Sequence, residues 1–347
     1  MISKGNILLL IIFLFIPLSA FTQQIGGQQL FSFLKLPTTA RINSLGGINV
    51  SLREGNDVNM MVGNPALLNK DHSGIASVNY IPLFGAIKQS MLSYAHDFKK
   101  TGIIGANLQY INYGTLDETD INGNIIGSFH VSEYAFSIVH SRTVNYFTLG
   151  AGVKLAGSNI ANYSAYGLLF DVGGLFKHPE KDFTVGVSIK NFGFILKNYT
   201  VGSNTTLPFD VQIGTSFKPK RMPLRFSFTA QKLTAFDIAY NDPTQNFQFD
   251  ANGKPIQKNI SFADKFFRHF VFGAEIILSK NFQLRAGYNY LIRRELKLEN
   301  TSGGAGFSFG AMIKVKTWEV AYSRQWYHVA GGTNCLTIIA DLKTLSK

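Results

Sequence analysis

Apolar and polar residues alternate with a period of two through most of this chain. Phe282, Leu284, Ala286, Tyr288 and Tyr290 fall on one face of an extended stretch, with Gln283, Arg285, Gly287 and Asn289 on the other. Leu224, Phe226, Phe228 and Ala230 alternate in the same way with Arg225, Ser227, Thr229 and Gln231. Side chains on a strand point alternately to opposite faces, so each such window predicts a half-apolar strand. Fourteen windows stand out, at about 75–84, 88–98, 101–113, 129–141, 144–157, 163–177, 181–193, 208–218, 222–233, 267–279, 282–293, 303–315, 317–328 and 333–343. Most are long enough for a tilted strand to cross a bilayer, which takes roughly 9–11 residues. An even number of them suits a closed bacterial outer-membrane barrel. The expected fold is all-β: a fourteen-stranded antiparallel transmembrane β-barrel over 75–347.

The connections sharpen this. If the first strand rises from the periplasm, the even-to-odd connections are tight, among them Lys99-Lys100, Arg142-Thr143 and Lys280-Asn281. The odd-to-even connections are expected at 85–87, 114–128, 158–162, 194–207, 234–266, 294–302 and 329–332, all but the first longer. Short periplasmic turns and long external loops are the habit of outer-membrane barrels. A soluble sandwich has no reason to sort them so.

Composition agrees: 33 Gly, 30 Phe and 14 Tyr accompany only 16% charged residues. The 46% hydrophobic content excludes disorder, and the single Cys335 excludes a disulfide scaffold and a Cys-rich zinc site. The net charge of +12 gathers at the tight turns, where Lys99, Lys100, Arg142, Lys218, Lys220 and Arg221 are expected to form a basic rim. Such a rim suits anionic lipid headgroups.

Two N-terminal segments differ from the rest. Met1–Thr22 has a positive Lys4, an apolar run Ile7–Ile16 and small residues before a cleavage site, which reads as a secretory signal peptide. Ten apolar residues are too few for a spanning helix. Residues 23–74 are expected to plug the lumen, with short helices over Gln28–Leu36 and Val58–Leu68 and a strand-like stretch Leu45–Arg53 between them. Fourteen strands enclose more space than their own side chains fill.

No catalytic constellation emerges, so no enzyme activity, metal or cofactor is expected. The histidines (His72, His96, His130, His140, His178, His269, His328) lack metal-ligand spacing and are expected on loops or strand surfaces. Asp117–Asn124 lacks a full set of alternating oxygen ligands and is expected as a turn in an external loop.

Two stretches carry a family resemblance. Gln24–Arg41 (QIGGQQLFSFLKLPTTAR), followed by Leu45-Gly-Gly47, resembles the mature start of the PorQ family, outer-membrane components of the type IX secretion system of Bacteroidetes. Asp57–Leu68 (DVNMMVGNPALL), with Asn64-Pro65-Ala66 at its centre, is similar to a segment shared across the wider PorV/FadL-like barrels. The end, Leu345-Ser-Lys347, departs from the general outer-membrane pattern in lacking a terminal aromatic. The resemblance implies an anchor in the bacterial outer membrane. It would hold a PorZ-like surface protein of an attachment complex, with PorU and PorV as associates, near lipopolysaccharide. The longest external segment, Leu233–Phe266, is expected to take the partner through Phe236, Tyr240, Phe247, Phe249 and Ile256, or to fold as a lid over the mouth. The alternative is a FadL-like channel for a hydrophobic small molecule. Lumen-facing large aliphatics are few, chiefly Ile103, Ile111, Val271 and Ile277.

Overall fold

In the computed structural model, residues 29–99, 101–239, 247–249, 255–257, 260–297, 303–328 and 331–345 are described. The expected signal peptide, Lys100 and Tyr240 lie outside them. Seven strands build the first half: β1 (Ile75–Pro82), β2 (Lys88–Asp97), β3 (Ile103–Thr119), β4 (Ile125–Val144), β5 (Phe147–Ile160), β6 (Tyr163–Lys177) and β7 (Asp182–Lys197). β8 (Asp210–Lys218) and β9 (Leu224–Ala230) follow, then a separate two-stranded hairpin of β10 (Phe247–Phe249) and β11 (Pro255–Gln257). β12 (Phe270–Ile277), β13 (Phe282–Asn289), β14 (Phe307–Val315), β15 (Trp318–His328) and β16 (Gly331–Asp341) complete the wall.

All fourteen wall strands pair antiparallel, and β1 closes on β16 from Ile75↔Asp341 to Tyr80↔Leu336. The alternation separates two surfaces. Val78, Tyr80, Leu92, Tyr94, Leu108 and Tyr110 are exposed on the outside, while Ser77, Asn79, Gln89, Asn107 and Gln109 are buried inside. No described helix is long and apolar enough to cross a membrane. A closed sheet satisfies every backbone group in lipid without one. The chain is a transmembrane β-barrel of the bacterial outer membrane.

The tight connections fall where the sequence puts them except one: Arg142-Thr143 continues β4 as paired strand, and the chain reverses at Asn145-Tyr146, where Asn145 takes a positive φ. Lys99, Arg142, Lys218, Lys220 and Arg221 stand at or beside the tight turns of one rim. The opposite side departs from expectation. Most of 114–128 is strand, because β3 and β4 continue as a hairpin to a turn at Asp120. The Asp120 carboxylate accepts the backbone N–H of Asn122 and of Asn124, at 2.8 and 2.9 Å, and closes that turn. With 17 and 20 residues, β3 and β4 far exceed a single crossing, so the hairpin projects beyond the bilayer on the long-loop side. The expected strand 282–293 stops at Asn289, whose side chain accepts from Ile292 N–H and caps the helix Tyr290–Leu296 instead.

Residues 29–74 occupy the lumen. The expected helix over Gln28–Leu36 is a single 3-10 turn, Ser32–Lys35. α1 (Ala40–Ser44) is capped by Thr39, and α2 (Met60–Gly63) leads into a 3-10 turn, Pro65–Leu67. Leu45–Arg53 forms no ladder, contrary to its strand-like pattern. Inward side chains satisfy its backbone instead. Ser308 Oγ accepts from Gly46 N–H, Asn289 donates to Gly46 O, and Thr184 donates to Ser51 O. The Gly- and Ser-rich inner face therefore serves to hold protein.

Candidate functional site

Three layers of contact fix the N-terminal segment to the wall. The first surrounds Glu275 on β12. Arg41 projects from α1 and grips this carboxylate with two parallel bonds, Nε to Oε1 at 3.0 Å and Nη2 to Oε2 at 3.1 Å. Arg285 from β13 adds a bond of 3.0 Å to Oε1, and Arg225 from β9 lies 3.4 Å from Oε2. One carboxylate thus faces three guanidiniums. Arg225 is shared with Asp182 at 3.2 Å and Glu54 at 3.9 Å, which spreads the positive charge. Arg41 also donates to Glu54 O at 2.6 Å. Burial works against the Arg41 charge, but the Glu275 carboxylate outweighs it and raises the guanidinium pKa. Planar, bidentate pairing is what arginine does better than lysine.

The second layer is the Asn64-Pro65-Ala66 motif. Asn64 Oδ1 accepts from Ala66 N–H at 2.9 Å, and Pro65 sits at the first position of the turn, where no donor is needed. Asn64 Nδ2 reaches the other way, to Val50 O at 2.8 Å and to Gly174 O of β6 at 3.3 Å. The wall is pared down to meet it. A Cβ at Gly173 would lie 1.9 Å from Asn64 Oδ1, and one at Gly150 would lie 2.4 Å from the Pro65 carbonyl carbon. A polar chain completes this layer. Asn59 donates to Asp57 at 2.6 Å and to Ser77 at 2.7 Å. Asn79 donates to Asn59 at 3.1 Å, and Thr337 to Asn79 at 2.6 Å.

The third layer, on the long-loop side, is apolar. Leu30, Phe31, Phe33 and Leu34 pack against Ile111, Ala135, Ala156, Ala165 and Leu169 of the wall, with Ile195, Tyr199 and Leu207 around them. Ile111 was legible as a lumenal aliphatic, and so were Ile103, which packs on Val58 and Met61, and Val271, whose Cγ1 would meet a Cβ at Gly46. Each meets the inserted segment.

Two histidines depart from their expected surface positions. His72 is buried, with Nδ1 accepting from Asn69 N–H at 3.3 Å and Nε2 facing Gly55 O at 3.2 Å. Burial pushes its pKa down. His269 is buried between Gln231 O and Phe236 O, at 2.8 and 3.1 Å. Cys335 is buried among Ala40, Met312 and Ala321.

The external segment divides. Phe236 is exposed and stacks on Phe262 of α3 (Phe262–Phe267), with ring centroids 5.1 Å apart. Phe247, Phe249 and Ile256 belong to the β10–β11 hairpin, whose described backbone stands apart from the barrel ladder. Beside α3, Asp264 accepts from Tyr290 at 2.8 Å and Arg268 at 3.0 Å, and pairs with Arg294 at 2.8 Å. Burial raises the Asp264 pKa, yet the Tyr290 hydrogen bond and the Arg268 guanidinium hold it below the usual carboxylate range. Sequence reasoning missed Glu275 and its partners. Its signal was a lone acid facing inward across from Arg285, visible only once the register Glu275↔Arg285 is known.

No protein-family model matches the chain, and no curated protein matches it. Among solved structures, it is similar to a deletion mutant of the TodX monoaromatic hydrocarbon channel, at 15% identity over 88% of this chain and 97% of that one, with a TM-score of 0.48. It is also similar to a FadL homologue from Pseudomonas aeruginosa, at 12% identity over 88% and 98%, with a TM-score of 0.46. The P. putida toluene transporter TodX is similar at 14% identity over 88% and 96%, with a TM-score of 0.46.

Proposed function

We propose that this chain is a gated outer-membrane barrel that admits a hydrophobic molecule, with residues 29–74 as the plug. The apolar layer under the external mouth carries the reading. There the wall presents Ile111, Ala156 and Leu169 inward, and the chain fills the space between them with its own Phe31 and Phe33. A chamber that accepts two phenyl rings from the plug offers the same surroundings to an apolar ligand when the plug withdraws. The polar layers beneath serve as the catch that sets how often it does. The Phe31→Ala, Phe33→Ala double variant, held in a mild detergent, tests this with the apolar fluorophore N-phenylnaphthylamine. Several-fold tighter binding than to the unaltered barrel supports a ligand chamber; equal binding removes it.

A second reading, anchorage of a surface protein, is favoured by what lies outside the membrane. Leu116, Ile121, Ile125 and Ile126 are exposed on the projecting β3–β4 hairpin, and Phe236, Phe262 and Phe266 are exposed near the mouth. Exposed apolar groups beyond the bilayer suit a protein partner. Joined to the PorQ-family resemblance of residues 24–41, this makes the barrel a type IX scaffold for a PorZ-like protein, alongside PorU and PorV. Deleting 241–258 while retaining membrane insertion then releases the surface partner from the purified barrel. Continued co-purification leaves that segment as a lid.

A further inference from the structure

The lipid-facing wall carries an apolar cleft that neither reading uses. Across β9, β12, β13, β14 and β15, one cross-strand row runs Phe226, Ala274, Ala286, Phe309, Arg324, each residue opposite the next. The two alanines face each other directly and leave a gap between the Phe226 and Phe309 rings. Gly273 and Gly287 put bare backbone into its floor, and Phe272 with Tyr288 form its upper lip. The resulting cleft holds about 310 Å³. It opens outward, because the neighbouring Ser227, Glu275, Arg285 and Ser308 are the buried, inward positions.

We infer that this cleft seats one acyl chain of an anionic, phosphate-bearing lipid of the outer leaflet, with Arg324 as the cation for its headgroup. The volume suits a stretch of one hydrocarbon chain and is far too small for a helix about 10 Å across. Every side chain lining the cleft is apolar or aromatic, and the surface it opens on is the bilayer. The charge at its margin is distinctive. Arg324 points outward from a membrane strand, is exposed, and sits 5.4 Å from the Trp326 ring centroid. Among the described residues it lies within 4.0 Å of no carboxylate. Two strand spacings, roughly 10 Å, separate it from Ala286. Aromatic anchors hold the upper margin, with Phe309 edge-on to Trp326 at 5.8 Å and Tyr288 against Phe307 at 4.8 Å. The headgroup end of a lipid whose chain lies over the alanines therefore falls beside an exposed guanidinium with no carboxylate partner among the described residues, the side chain best shaped for phosphate.

The test is titration of the detergent-solubilised full chain with lipid A, and separately with phosphatidylethanolamine, read by native mass spectrometry. Ala286→Phe fills the gap and is expected to lower binding of both lipids at least tenfold. Arg324→Gln is expected to lower lipid A binding at least tenfold and to lower binding of phosphatidylethanolamine, whose single phosphate is offset by its own ammonium, far less, while Arg324→Lys restores part of the loss. Leu155→Phe, on the lipid face of β5, serves as the reference. Heat-modifiable migration on a gel confirms that each variant is folded. Unchanged lipid A binding in either Ala286→Phe or Arg324→Gln overturns the assignment, as does an equal loss in Leu155→Phe.

Discussion

Arg41 and Glu275 are 234 positions apart in the chain and share a buried two-point ion pair at 3.0 and 3.1 Å. The pair ties the lumenal segment to β12, and it does so beside Arg225 and Arg285, which alone would repel one another. Glu275 is therefore the common neutraliser of three cations, and Arg41 is the one that arrives with the segment.

Glu275→Gln is expected to loosen the segment. Removing one partner of a buried pair costs about 3–5 kcal/mol, since the remaining charge is left uncompensated. Arg225 keeps Asp182 and Glu54, so Arg41 and Arg285 are the two guanidiniums left without their carboxylate. Added protease should cut residues 29–74 faster in Glu275→Gln than in the unaltered protein, with the barrel itself intact. Arg41→Met should act less severely, because Arg225 and Arg285 still hold Glu275. A segment equally protected in both variants removes the latch.

Gly173→Ala is expected to displace the Asn64-Pro65-Ala66 turn. The new methyl would sit 1.9 Å from Asn64 Oδ1, a distance that no Cβ tolerates. Asn64→Ala removes the cap and the strap to Gly174 together, and the cap alone contributes about 1 kcal/mol. Hydrogen exchange of Val50 and Ala66 is the readout, with acceleration expected in both variants. Combining the two should cost less than the sum, because the clash disappears with the Asn64 side chain.

Docking of the segment is expected to weaken with acid through His72. Burial lowers this imidazole below its ordinary pKa. Between the lowered value and the ordinary one near 6.5, the opened segment binds more protons than the docked one. Stability then rises with pH across that interval and is lost as pH falls through it. Amide exchange over 55–74, corrected for intrinsic rates, should be faster at about pH 5 than at about pH 7.5. His72→Gln should flatten the dependence; an unchanged slope would place the titration elsewhere.

The basic rim is expected to bind anionic membranes. Lys218, Lys220 and Arg221 stand together at the β8–β9 turn. Each contributes about 1 kcal/mol near an anionic surface. Replacing all three with Gln should weaken association with anionic vesicles and reduce its salt dependence. Unaltered partitioning would mark the rim as solvated charge with no lipid role.

Period-two alternation determined the barrel, the strand number and the two faces, because a strand's side-chain direction depends only on parity along the chain. It determined most of the tight turns for the same reason, since alternation ends where backbone must reverse, but β4 runs on through Arg142-Thr143 to Val144. It could not determine where β3 and β4 stop, since a projecting hairpin alternates like a spanning one. Nor could it show how 29–74 is held. Leu45–Arg53 alternates like a strand, yet the inward groups of Ser308, Asn289 and Thr184 claim its backbone. The partnership of Arg41 with Glu275, and the alanine gap beside Phe226 and Phe309, depend on cross-strand register and ring closure. Those are relations between residues far apart in sequence, and only the folded cylinder sets them.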